Sequence, residues 1–197
     1  RNSKRFEYAK IYYLVTSTDS HGQFGAITIR LPNGITYISY EGTDSSIVGW
    51  KEDFELMYMA PISSQRLALQ YFDETLNVFD REVYVGGHSK GGNLAMYAYM
   101  YGKPYYKRRV KKIYNFDGPG FLNDIFESDI YQEMTRKLET IVPHESVVGM
   151  MLNHGKYRVV NSKNKGIMQH EGTSWECFGG CFVDSTLSKK SEKLERN

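Results

Sequence analysis

Apolar and polar side chains alternate along Phe24-Gly-Ala-Ile-Thr-Ile-Arg-Leu31, which predicts a β-strand. Pro32-Asn33-Gly34 is a turn signal, with Asn-Gly supplying positive φ, and Ile35-Thr-Tyr-Ile-Ser-Tyr40 is the returning strand. The two are expected to form a hairpin at the edge of a sheet. Glu41 to Ser46 reads as a loop, and Trp50 to Met59 as a short helix stopped near Pro61. Between Gln65 and Phe79, the residues Leu67, Leu69, Phe72, Leu76 and Phe79 recur at roughly helical spacing. Val83-Tyr-Val-Gly-Gly87 reads as a short buried strand, and Gly91 to Tyr101 as a helix of small and apolar residues. Lys112 to Phe116 predicts a strand, Asp129 to Glu139 a helix, and Thr140 to Val142 and Tyr157 to Asn161 two further strands. The stretch from Lys189 to Asn197, rich in Lys and Glu, reads as a solvated helix or fraying tail. Strands alternating with helices predict an α/β fold with a mostly parallel central sheet and helices on both faces. No repeat, low-complexity tract or linker interrupts the pattern, so residues 1–197 read as a single domain.

At 41% hydrophobic and 14% aromatic residues, the composition is that of a folded globular chain with a sizeable core. No apolar run is long enough to span a membrane as a helix. Twenty-five basic residues face 23 acidic ones, a balance that argues against nucleic acid as partner and for a small or lipid-like molecule. The chain begins at Arg1 with no Met and no signal-peptide pattern, and is expected to be a fragment of a longer one. Cys177 and Cys181 flank Phe178-Gly-Gly180, close enough to face each other across a hairpin. One local pair makes neither a disulfide framework nor a metal site, so free thiols in a reducing cytoplasm are the default expectation.

The strongest chemical signal is Gly87-His88-Ser89-Lys90-Gly91 between a predicted strand and a predicted helix. A G-x-S-x-G turn in that setting is a nucleophile elbow. Its serine sits in a tight, strained turn, and the flanking glycines let backbones pass too close for a Cβ. The following helix N-terminus aims free N–H groups at a forming oxyanion. Gly92 and Ala95 would keep that helix close to the sheet. The bland alternative is a Gly-rich turn carrying an inert serine. A phosphate-binding loop is disfavoured, because the Gly-x-x-x-x-Gly-Lys-Ser/Thr order is missing.

Four stretches together carry a resemblance: Tyr40-Glu-Gly-Thr-Asp-Ser-Ser-Ile-Val-Gly-Trp-Lys-Glu-Asp-Phe54, Gly87-His-Ser-Lys-Gly-Gly-Asn-Leu-Ala95, Tyr114-Asn-Phe-Asp-Gly-Pro-Gly-Phe121, and Gln169-His170 with Ser174-Trp175. From about Phe24 to Trp175 the chain resembles a bacterial lipase-like α/β-hydrolase family of uncharacterised function, related to the class 3 (fungal-type) lipases. The resemblance implies an α/β-hydrolase fold and cleavage of carboxylic esters by a serine hydrolase of lipase, esterase or lysophospholipase type. Two departures stand out. Glu41 replaces the Arg that lipases usually carry before Gly-Thr, and Lys90 replaces the Leu that often follows the nucleophile. Both put a charge near the site and weaken the inference of a long-chain neutral lipid as substrate.

On this pattern the oxyanion donors are the N–H groups of Thr43 and Lys90, although Thr43 also suits a cap or turn; Asp44 and Ser45 read as loop or cap residues. A serine nucleophile needs a His base and a carboxylate to orient it, in the chain order Ser, acid, His. That order disfavours His21 and His88, whereas His144 and His154 flank an apolar stretch. His170 lies downstream and matches the family position, against the alternative of a hydrogen-bonded loop His. Asp117 ends one strand and Glu145 follows another, and both are candidates for the acid. In class 3 lipases the acid comes in a later, Val-Pro-containing segment, so the resemblance favours Glu145. Asp117 would then brace the loops through backbone N–H groups, and Asp184 or no acid at all is the remaining alternative.

Met150 and Met151, with Met57, Tyr58, Met59 and Leu152, would line an acyl-binding groove or lid, or else pack in the core. Trp50 and Trp175 are expected to anchor loops to the core. An ester substrate of this kind would bring peripheral contact with a membrane surface within reach. No residue cluster has the spacing of a metal or cofactor site. Two other readings share the motif: a hydrolase-fold protein that binds without turnover, motivated by Glu41 and Lys90, and a thioesterase or peptidase using the same triad.

Overall fold

The computed structural model describes residues 4, 7–18, 22–43 and 54–195. Asp44, Ser45, Trp50 and His21 lie outside them, as does the first part of the helix predicted from Trp50. Seven strands form one sheet in the order in which they occur in the chain: β1 (Lys10–Thr18), β2 (Gln23–Arg30), β3 (Ile35–Tyr40), β4 (Glu82–His88), β5 (Val110–Phe116), β6 (Leu138–Pro143) and β7 (Tyr157–Val160). β1, β2 and β3 are antiparallel, and β3 to β7 run parallel. Besides a helical stretch at 54–56, the described residues form the helices α1 (Ser63–Thr75), α2 (Lys90–Tyr101), α3 (Pro104–Lys107), α4 (Asn123–Phe126), α5 (Asp129–Thr135) and α6 (Lys189–Glu195). A small hairpin of β8 (Cys177–Phe178) and β9 (Cys181–Phe182) follows the sheet. This mostly parallel sheet with its helices is an α/β-hydrolase fold.

The β2–β3 hairpin forms where the alternation predicted it, but it is not at the edge. β1 pairs outside it. Lys10-Ile-Tyr-Tyr-Leu-Val-Thr-Ser-Thr18 has no period of two, because an apolar run is followed by a polar one. A register shift between Tyr12 and Val15, with Tyr13 at φ 51°, turns the strand in its middle. α1 stops at Thr75, short of the predicted Phe79, because Asp80 takes the chain back: its carboxylate accepts the Asn77 N–H and binds Thr36 and Arg30 of the hairpin. α5 stops at Thr135, since Leu138 is already paired with Ile113 in the sheet.

α2 is the central helix, and all but its last residue are buried. It packs on the sheet face that carries Tyr40, Val85 and Ile113, and α1 packs beside it. Close approach is possible because glycines stand at the contact. A Cβ on Gly87 would lie 2.4 Å from the Gly91 carbonyl carbon, and one on Gly92 would lie 2.0 Å from Asn115 Oδ1. Phe72, Val85, Leu94 and Ile113 are fully buried here, each contributing roughly 1.5–3 kcal/mol by leaving water. On the opposite face Tyr84 stacks on Tyr114 and Tyr114 on Phe116, and Trp175 and Phe182 close over Phe116. Trp175 is thus the loop anchor that its sequence position suggests. No helix among the described residues is long and apolar enough to cross a membrane.

Candidate active site

Strand β4 delivers Ser89 at its end, and α2 begins one residue later. Ser89 has φ 57° and ψ −134°, a conformation that L-residues seldom adopt and that functional turns tolerate. Its N–H donates to the Phe116 carbonyl at 2.9 Å, so the sheet ladder extends into the elbow. Asp117 follows β5 in the same way. It has φ 52°, its N–H donates to Ile141 O at 2.8 Å, and it is fully buried. His170 closes the 3-10 helix Gly166–His170.

These three side chains meet. His170 Nε2 lies 2.9 Å from Ser89 Oγ, and His170 Nδ1 lies 2.7 Å from Asp117 Oδ2. The other carboxylate oxygen of Asp117 accepts from the Ser146 hydroxyl and, at 3.2 Å, from the Gly149 N–H. A buried carboxylate with all three donors aimed at it holds the Nδ1–H tautomer of the imidazole. Nε2 is then the basic nitrogen, positioned to take a proton from Ser89 Oγ.

Glu145 stands elsewhere, contrary to the sequence preference. Its Oε2 accepts from the Gly166 N–H at 2.6 Å and from Gln169 Nε2 at 3.1 Å, and its own N–H donates to Gln169 Oε1 at 2.9 Å. The carboxylate behind the His170 ring is that of Asp117, while Glu145 fastens the segment that carries His170. The reason is topological: β5 adjoins β4, so the end of β5 lies nearer the elbow than the end of β6. Trp175 adds a further tie, its Nε1 donating to Gln169 O at 2.8 Å. Asp184 is on the surface, paired with Arg158. His144 bonds the Thr186 carbonyl, and His154 packs on Tyr157.

The loop after β3 passes directly by Ser89. A Cβ on Gly42 would meet His88 O at 2.8 Å and Ser89 Cβ at 3.1 Å, and the half-buried Thr43 follows. Lys90 opens α2, so its N–H lies in the first turn of that helix, next to the elbow. Its side chain runs the other way. It is almost wholly buried, and Nζ donates to Gln23 O at 3.2 Å. Glu41 likewise leans over the backbone of Gly25 on β2. The charges expected beside the serine are therefore directed toward β2. Met150 ends the 3-10 helix that brings Gly149 to Asp117 and is buried, and Met151 after it is half-buried, so Met150 packs in the interior. Cys177 pairs with Phe182 and Cys181 with Phe178, which puts the two thiols on opposite faces of the hairpin; both are free and exposed. No group of three or more His, Cys, Asp or Glu side chains among the described residues is arranged to hold a metal ion.

Three participants escaped the sequence reading. Ser146 and Gly149 donate to Asp117, and His88 Nε2 donates to the backbone carbonyl of His170. A hydrogen bond to a backbone carbonyl leaves no pattern in the residue types.

The sequence model of a family described as Mbeg1-like matches residues 1–197. No curated protein matches the chain in sequence. Among solved structures the chain is similar to the crystal structure of M37 lipase, with a TM-score of 0.54 and 15% identity over 74% of this chain and 56% of that one. It is also similar to a fungal lipase in complex with an inhibitor, with a TM-score of 0.50 and 16% identity over 79% of this chain and 66% of that one. The chain thus spans roughly three-fifths of the length of these lipases, and at such identities the likeness is one of fold. The fold agrees with the lipase-like resemblance carried by the motifs, and the chain belongs to the Mbeg1-like family.

Proposed function

We propose that the protein is a serine hydrolase of carboxylic esters, working through an acyl-enzyme on Ser89. The observation that carries this reading is the relay from Ser89 Oγ to His170 Nε2 at 2.9 Å and from His170 Nδ1 to Asp117 Oδ2 at 2.7 Å. His170 takes the Ser89 proton as Oγ attacks the ester carbonyl, and the Asp117 carboxylate stabilises the imidazolium so formed. The tetrahedral oxyanion lies against the N–H groups of Lys90 and Thr43. Losing one such donor typically costs about 3 kcal/mol of transition-state stabilisation. Collapse returns the proton from Nε2 to the leaving alcohol, and water repeats the cycle on the acyl-enzyme.

The lipase neighbours support a lipid or other ester as substrate. Exposed Ile167 and Met168, just before His170, and exposed Phe54 and Tyr58 offer apolar surface for an acyl chain or a membrane face. The test uses a fluorophosphonate probe and p-nitrophenyl butyrate. The wild type is expected to label and to hydrolyse the ester, and Ser89→Ala to do neither. A folded wild type that does neither would overturn the proposal.

A further inference from the structure

His88 sits inside the elbow, and chain order denies it the role of base. Its position is nevertheless specific. His88 Nε2 lies 2.6 Å from the backbone oxygen of His170, and the two imidazole rings are 4.5 Å apart at an interplanar angle of 39°. A carbonyl only accepts, so Nε2 of His88 carries the proton and donates it. Past His170 the chain continues over this ring, with the Cβ position of Gly172 3.7 Å from His88 Cδ2.

We infer that His88 is a positioning residue for the reaction, fixing His170 relative to Ser89 by donating its Nε2–H to the His170 carbonyl. His88 is covalently joined to Ser89. One hydrogen bond therefore ties the backbone of the nucleophile to the backbone of the base, and the Ser89–His170 hydrogen bond closes the loop. The other end of the 3-10 helix is held by Glu145 at Gly166. Without His88 the segment keeps its ties at Gly166 and Gln169 and the Asp117 contact to the ring, but it loses the one bond that fixes the His170 backbone against the residue joined to Ser89. Neutrality suits the task. Burial pushes the pKa of His88 down, and the neighbouring His170 pushes it the same way. A neutral His88 does not oppose the imidazolium that forms on His170 during attack.

The inference rests on the proposed hydrolase reading for its kinetic arm, and a spectroscopic arm stands apart from turnover. His88→Leu removes the donor, whereas His88→Gln offers an amide N–H at a comparable reach. On p-nitrophenyl butyrate, His88→Leu is expected to lower kcat about 10- to 100-fold, the scale at which a small misplacement acts. KM should stay within about twofold, and His88→Gln should recover most of the loss. In the proton NMR spectrum the low-field Nδ1–H resonance of His170 is expected in the wild type and in His88→Gln, and lost in His88→Leu. If His88→Leu does not fold, His88→Asn replaces it, since its shorter amide falls short of the carbonyl. Two results would overturn the inference: a donor-lacking variant that keeps both kcat and the resonance, or a folded His88→Gln as impaired as the donor-lacking variant. If the wild type shows no turnover and no probe labelling, the hydrolase reading fails, and the resonance comparison still decides the role of His88.

Discussion

Asp117 serves two sets of partners at once. One oxygen meets the His170 ring, and the other accepts from Ser146 and Gly149. Asp117→Asn keeps the shape but presents an amide to His170 and favours the wrong tautomer. A fall in kcat of about 10⁴-fold is expected, the size seen when the same change is made in a serine protease triad. Glu145→Gln retains an acceptor for the Gly166 N–H, so its effect should stay below about tenfold. Steady-state kinetics on p-nitrophenyl butyrate distinguish the two, and a more severe loss at Glu145 would reverse the assignment. Both carboxylates follow strands, downstream of Ser89 and upstream of His170, so chain order alone does not choose between them. The choice is made by β4–β5 adjacency and by the path of residues 166–170, which are long-range facts. That Ser89 and His170 would meet was legible for the opposite reason: the elbow has a local pattern, and His170 follows from chain order and family position.

The elbow works as an element because β4, α2 and the turn after β5 interlock through atoms that leave no room for a side chain. Asn115 is the keystone on the β5 side. Its Oδ1 accepts the Gly118 N–H at 2.9 Å, and its Nδ2 donates to Gly118 O at 3.1 Å. Anchored in this way, Asn115 has little freedom to yield to a methyl group on Gly92. Gly92→Ala should therefore destabilise the fold by about 1–3 kcal/mol through overpacking, against a gain of under 1 kcal/mol from helix propensity alone. Chemical denaturation of the variant checks the sign, and unchanged stability would mean that α2 docks more loosely than described. Small residues along α2 were visible in the sequence, and they correctly suggested a helix lying close to the sheet. The β1 strand was not visible, since its residues follow no alternation and all nine are exposed. Pairing with β2 makes it a strand, not a buried face of its own.

Across the whole molecule, the fold sorts the site into two mechanical classes. Ser89 and Asp117 donate their backbone N–H groups to Phe116 and Ile141, the last residue of β5 and a residue inside β6, so the ladder passes stepwise through both. Gly166, at the head of the His170 segment, is held by the carboxylate of one side chain on a helix of five residues. Native-state hydrogen exchange should resolve the difference. The amides of Ser89 and Asp117 are expected to exchange only with global unfolding, and that of Gly166 through a local opening of much smaller denaturant dependence. Equal protection at all three would contradict it. On that expectation, Ser89 and Asp117 keep their separation while His170, the proposed base, departs and returns. Slow solvent exchange would accompany Ser89 and Asp117 and fast exchange the His170 segment, so the resting protein would spend brief intervals with an intact serine–carboxylate frame and no imidazole between them.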